Sequence, residues 1–288
     1  MTDKKTSYCS LQSPDLPMAG TSDYVDLWLL LEYVPSWGAK VLEDNALSAA
    51  TREWLDQQIE ALSADGLRVR PQFIRQPEYD RATTRCFIAT QTATWQLEGQ
   101  GYDFLHELDL RTFLAAPEQL ATLVERPHYF VCLNGQRDVC CARFGRPVYS
   151  ALRERLGERI WQVSHLGGHR FAPNVLCLPQ GGMYGRVSPD EIDEFIAHIE
   201  ASKLDFAYLR GQAWYQKAVQ AAEVFAGQQG LQVMAVSEQG SQTHVSFQQQ
   251  TTGAKLTVKV EQAGQPVMAL ASCKDSEAKP VYPFRRVL

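Results

Sequence analysis

The stretch that decides the reading is VCLNGQRDVCCARFG, residues 131–145, followed after a helix-like segment by SHLGGHRFAPN, residues 164–174. Cys132 precedes the adjacent pair Cys140 and Cys141, and His165 and His169 stand four residues apart. Soft thiolates and imidazoles gathered in one short segment form the ligand set of a [2Fe–2S] cluster or a zinc ion. A catalytic dyad needs only one Cys and one His. Four candidate ligands therefore suggest that something is held.

The flanking pattern places these residues on loops. HYFVCL (128–133) reads as a strand with Cys132 at its end. A loop follows from Asn134 to Arg143, with Gly135 giving it freedom to turn and Arg137 and Asp138 available to brace it. Val148, Leu152 and Leu156 then mark a helix that stops at Gly157. Cys140 and Cys141 cannot both point inward. One reads as a ligand and the other as a packing residue, with Cys141, just ahead of the helix, favoured as a thiolate by the helix dipole. RIWQVS (159–164) is the next strand. The two glycines between His165 and His169 argue for a turn rather than a helix. Such a turn exposes backbone, and the Gly167 and Gly168 N–H groups become candidate donors to bridging sulfides. NVLCLP and MYGRV around Gln180-Gly181-Gly182 read as a hairpin. Ser188-Pro189-Asp190-Glu191 is a capping box that opens a helix. The order β-α-β, then β-β-α, is that of a thioredoxin-like domain.

Two further sections flank this unit. Upstream, residues 1–24 form a polar arm. LWLLLEYV (27–34) is a continuous apolar run of strand length, as for a strand covered on both faces. A helix with Trp54, Leu55, Ile59 and Leu62 ends at Gly66, and LRVRPQFI and RCFIATQ read as strands. Downstream, a helix over about 212–226 precedes the strand-like stretches LQVMAV, HVSF, KLTVKV and PVMALAS. The expected organisation is an N-terminal α/β section over 1–125, a candidate second thioredoxin-like unit; a thioredoxin-like domain over 126–204; and a small α+β extension over 205–288.

Composition narrows the function. A net charge of −5 argues against nucleic-acid binding through phosphate neutralisation. No apolar run reaches the ~20 residues that span a bilayer, and the N-terminus lacks the apolar core of a secretory signal. Seven cysteines, two of them adjacent, do not form a disulfide framework. Reduced thiols in the cytoplasm fit better. Cys86 and Cys177, in apolar strands, read as buried small hydrophobes. His106, His128, His198 and His244 lack ligand-like company and read as structural or surface groups. Cys9 and Cys273 read as exposed thiols, or as an auxiliary redox pair if the chain ends meet. Arg170, beside His169, reads equally as a salt-bridge residue or as a charge acting on the site.

The passage VCLNGQRDVCCARFGRPVYSAL…WQVSHLGGHRFAPNVLCLPQGGMYGRV resembles the sucrase/ferredoxin-like family, whose core is a thioredoxin-like ferredoxin. MAGTSDYVDLWLLLEY, RGQAWYQKAVQAAE and LASC extend the resemblance over most of the chain. It implies a [2Fe–2S] cluster bound by Cys132, Cys141, His165 and His169, with HxxxH standing where thioredoxin-like ferredoxins usually carry CxxxC. Family members that keep only the second cysteine of the pair favour Cys141. Asn134 occupies a position often held by His, and is not expected to be a ligand.

Two neutral imidazoles in place of two thiolates make reduction easier. Centres of this ligand set lie at roughly −150 to +300 mV against about −400 mV for all-cysteine plant-type clusters. The expected function is that of a one-electron carrier with a proton-coupled, pH-dependent potential, exchanging electrons with donor and acceptor redox proteins rather than turning over a substrate. The alternatives are a structural Cys₂His₂ zinc protein and a thiol-dependent redox enzyme with Cys140 or Cys141 as nucleophile and His165 as base. Thioredoxin-type Cys-x-x-Cys is absent, and no distinctive paired-carboxylate segment supports a hydrolase. Pro173, immediately before NVLCLP, is the candidate for the cis-proline that thioredoxin-like folds often hold there.

Overall fold

The computed structural model describes residues 8–288; the first seven residues of the polar arm lie outside them. A short helix α1 (Cys9–Gln12) leads to β1 (Leu27–Glu32), all six residues of which are buried. Ser48 caps α2 (Ala49–Ala64) by accepting the Thr51 N–H at 3.1 Å. Gly66, at φ +85°, terminates it. Strands β2 (Val69–Arg75), β3 (Thr84–Ala89) and β4 (Thr94–Gly99) follow. Then come α3 (Asp103–His106), α4 (Leu110–Ala115) and the two-residue β5 (Thr122–Leu123). The two short helices had no clear signature in the sequence.

The second unit contains β6 (His128–Cys132), α5 (Val139–Leu156), β7 (Ile160–Val163), β8 (Asn174–Leu178), β9 (Gly182–Gly185) and α6 (Ile192–Glu200). β6 is parallel to β7 and antiparallel to β8, which is antiparallel to β9. The order β7-β6-β8-β9 is the thioredoxin arrangement. The first unit repeats it as β2-β1-β3-β4, with the same parallel and antiparallel relations. The units join where β2 pairs antiparallel with β7, Ile74 opposite Val163. With β10 (Leu209–Gln212) beside β9 and β5 beside β4, one mixed sheet of ten strands results. The Ala172–Pro173 peptide is cis, as is Leu178–Pro179.

The remaining elements are α7 (Lys217–Ala226), β11 (Leu231–Gln239), β12 (Gln242–Gln249), β13 (Lys255–Gln262), β14 (Val267–Ala269), β15 (Lys279–Val281) and β16 (Phe284–Val287). β11, β12, β13 and β16 form an antiparallel sheet against α7. Gln212, expected to begin a helix, instead ends β10; the helix starts five residues later. Among the described residues no helix is long and apolar enough to cross a membrane.

Alternation along β1 divides the core. Leu29 and Leu31 pack beneath α2 with Trp54 and Phe73. Trp28 and Leu30 face the other way and join Phe87, Phe130, Trp161 and Leu176. Cys132, Cys141 and Leu166 belong to that second cluster, so both units wall the site.

One expectation needs correction. The segment up to Arg143 is not a loop, because α5 begins at Val139 and carries both adjacent cysteines in its first turn. Asp138 supplies the cap, accepting the Cys140 N–H at 2.9 Å. Gly145 and Pro147 argue for a later start, yet both lie inside the helix. Gly145 is required by close approach. A Cβ there would meet Leu133 Cδ2 at 2.6 Å and the Cys132 carbonyl oxygen at 2.7 Å.

Two predictions follow from this packing. Gly145→Ala should lower stability by about 1–3 kcal/mol in denaturant unfolding, since neither strand backbone nor helix can yield cheaply; an unchanged midpoint would contradict the packing. The second concerns Glu223, on α7, which is 3% exposed with Oε2 unpartnered. Burial pushes its carboxyl from 4.5 up to about 8. Between those values the folded chain holds a proton that the unfolded chain has lost. The stability that Glu223 contributes is therefore fully present below pH 4.5, is lost as pH rises toward 8, and is constant beyond. Glu223→Gln should flatten that decline and stabilise the protein above pH 8, by at most ~5 kcal/mol. Parallel pH–stability curves for the two proteins would refute it.

Candidate metal centre

β6 ends on Cys132 beneath the N-terminus of α5. The intervening turn is organised by buried Asn134. Its Oδ1 accepts the N–H groups of Gln136 and Arg137, and its Nδ2 donates to the Gly38 carbonyl. Gly135 serves by proximity and not by an unusual φ: a Cβ would lie 2.9 Å from Ala142 Cβ. The Cys141 N–H donates to the Asp138 carbonyl at 3.1 Å, which fixes the first helical turn.

β7 carries the chain to the histidine loop. Ser164 Oγ and the His165 N–H both donate to Gln72 Oε1 of β2, at 2.7 and 2.8 Å. Phe73 N–H donates in turn to Ser164 Oγ. The first unit therefore positions this loop. Gly167 and Gly168 both adopt positive φ, +85° and +72°, and His169–Phe171 forms one 3-10 turn. A Cβ on Gly168 would fall 2.5 Å from the Arg210 guanidinium.

Arg210, 2% exposed, was not singled out from the sequence. It donates to the Gly167 carbonyl, Asn174 Oδ1 and the Thr21 carbonyl, while Asn174 Nδ2 binds the Gly168 carbonyl. Burial lowers its pKa to about 10. The only sequence hint was its apolar setting in LRGQAW, since an arginine between buried residues must satisfy its donors locally.

The structure brings Cys132, Cys141 and His165 together, with donor atoms within 4.8 Å of one another. His169 Nδ1 lies 3.4 Å from Cys141 Sγ, and the two imidazoles stack with centroids 4.6 Å apart. His165 Nδ1 is buried without a hydrogen-bond partner. Cys132 is held well below its ordinary pKa, chiefly by a hydrogen bond from Cys141 and further by His165 and the Leu166 N–H. The Cys141 thiol is raised well above its ordinary value, chiefly by its hydrogen bond with Cys132 and then by burial. Burial, reinforced by His165, lowers the His169 pKa.

Cys140, one residue from Cys141, faces elsewhere. It meets Cys9 and Cys273, which are not exposed thiols as one reading of the sequence had them. Cys86 and Cys177 are buried in strands. His128 is half-buried, and its desolvation pushes its pKa down to about 4, while His198 pairs with Asp205. Arg170 makes no salt bridge among the described residues, and its Nη1 is buried without a partner.

The donor chemistry fits an iron–sulfur or zinc group. Two thiols and two imidazoles converge, and one imidazole nitrogen is buried with no protein partner to satisfy it. Two curated relatives share the name altered inheritance of mitochondria protein 32. The one from Clavispora lusitaniae is 30% identical over 103 residues, covering 29% of this chain and 38% of that protein. The one from Meyerozyma guilliermondii is 30% identical over 76 residues, covering 23% and 27%. The chain thus spans well under half the length of either relative. Among solved structures, a thioredoxin-like [2Fe–2S] ferredoxin from Aquifex aeolicus is 24% identical, covering 30% of this chain and 91% of that one with a TM-score of 0.27. A sequence model described as sucrase/ferredoxin-like matches residues 18–211, which takes in the Thr21 that braces Arg210, both thioredoxin-like units and all four converging side chains. On the breadth of that match the chain belongs to the sucrase/ferredoxin-like family.

Proposed function

We propose that the protein is a one-electron carrier whose [2Fe–2S] cluster is held by Cys132, Cys141, His165 and His169. The observation that carries this reading is the convergence of those four side chains from the end of β6, the first turn of α5 and the histidine loop, with donors of the first three within 4.8 Å and His169 Nδ1 3.4 Å from Cys141 Sγ. When bound, such a cluster supplies reversible one-electron exchange. The chain's own residues do the rest. Cys132 and Cys141, both 1% exposed, keep water from the sulfurs. Gln72 and Arg210 fix the histidine loop through its backbone. A histidine that ligates through one ring nitrogen would keep the other to hold a proton; for His169 it is Nδ1 that lies beside Cys141 Sγ. Electrons would come from and go to redox proteins whose identity the chain does not specify. Free thiols require a reducing compartment, and we place the protein in the cytoplasm. The reading is that of a carrier and not of a turnover enzyme.

Anaerobically purified protein should be brown, with about two irons and two sulfides per chain. His165→Cys and His169→Cys should each shift the visible spectrum and move the potential toward the roughly −400 mV of all-cysteine clusters. In the unaltered protein the oxidised state should lose an imidazole proton more readily than the reduced state. The potential should therefore fall as pH rises, by up to about 59 mV per unit for each proton coupled. Colourless protein holding one zinc at these residues, or a potential indifferent to both variants, would overturn the proposal.

A further inference from the structure

We infer that Cys9, Cys140 and Cys273, with Asp138, form a second metal site that takes a zinc ion. The three sulfurs form a closed triangle: Cys9–Cys140 at 3.7 Å, Cys140–Cys273 at 3.1 Å and Cys273–Cys9 at 3.6 Å. A zinc ion bound tetrahedrally at Zn–S ≈ 2.3 Å sets its sulfurs roughly 3.8 Å apart, so a small outward movement admits the ion. One carboxylate oxygen of Asp138 lies within 4.8 Å of all three sulfurs and supplies the fourth corner.

The surroundings are those of metal-bound thiolates. Cys9 N–H donates to Cys273 Sγ and Ser10 Oγ–H to Cys140 Sγ, each at 3.3 Å. Asp138 accepts hydrogen bonds from Cys140 N–H on Oδ1, and from Ser272 Oγ and Cys273 N–H on Oδ2. A carboxylate offers about four lone-pair positions, so one remains on Oδ1. Three thiolates select a soft cation, and the hard carboxylate favours zinc over copper(I). The ligands come from α1, from the first turn of α5 and from the segment after β14. Zinc here would tie residues near both chain ends to the helix that carries Cys141. Binding exchanges thiol protons for the ion, releasing up to three to solvent, with no change of oxidation state.

Zinc and iron counted together on the cluster-loaded full-length protein test this directly, on the wild type and on Cys9→Ser, Cys273→Ser and Cys132→Ser. One zinc per wild-type chain is expected beside the iron. Cys9→Ser and Cys273→Ser should lose the zinc and keep the iron, whereas Cys132→Ser should lose the iron and keep the zinc. Cys273 is only half-buried, so its variant and the wild-type count remain decisive if Cys9→Ser does not fold. Wild-type protein that retains no zinc after exposure to it and buffer exchange would overturn the inference. So would zinc lost with Cys132→Ser instead of Cys9→Ser, or a Cys140–Cys273 disulfide recovered without metal.

Discussion

The cap that Asp138 places on α5 is the constraint on which the rest of the site depends. Successive helical residues point about 100° apart. Once the Cys140 N–H is fixed to Asp138 Oδ1, Cys141 must face Cys132 and the histidine loop while Cys140 faces the chain ends. The same carboxylate accepts from Ser272 and Cys273, so the C-terminal segment is drawn to this helix end as well. A single buried side chain thereby sorts two adjacent, chemically identical thiols into two environments. A pair of cysteines in a flexible loop would have no such assignment.

The duplicated strand order gives the first unit a purpose beyond cover. It carries none of the four candidate cluster ligands, yet Gln72 on β2 holds the backbone at Ser164 and His165. Trp28, Leu30 and Phe87 complete the apolar wall behind Cys132. Edge-to-edge pairing of β2 with β7 makes both contributions possible, because it sets the first unit beside the strand that leads into the histidine loop. Arg210 performs the matching task from the opposite side, bridging Thr21 near the N-terminus to the loop carbonyl at Gly167. A half-closed dielectric environment results, in which each hydrogen bond to a ligand sulfur counts for more than it would in water.

Much of this was legible in the residues themselves. Continuous apolar runs located β1 and β6, and the order of elements pointed to a thioredoxin-like unit. The Cys and His spacing singled out Cys132, His165, His169 and one of the adjacent cysteines, and the family resemblance favoured Cys141. The cis peptide at Pro173 stands where the fold suggested. What escaped reading has a common cause. Gly145 and Pro147 signal a break in any local scheme, whereas tertiary contact demands the glycine and the helix tolerates the proline. Cys9 lies 131 residues from Cys140, and Cys273 lies 133 away on the other side. No periodicity connects such positions. Arg210 and Gln72 likewise act through backbone atoms of distant loops, and that kind of partnership leaves no spacing to detect.

The central claim is that two imidazoles and two thiolates share one cluster, and pulsed electron paramagnetic resonance of the reduced protein with ¹⁵N-labelled histidine tests it most directly. The account predicts two strongly coupled histidine nitrogens, one of which disappears in His165→Cys and the other in His169→Cys. A paramagnetic centre with no directly bound histidine nitrogen would contradict it.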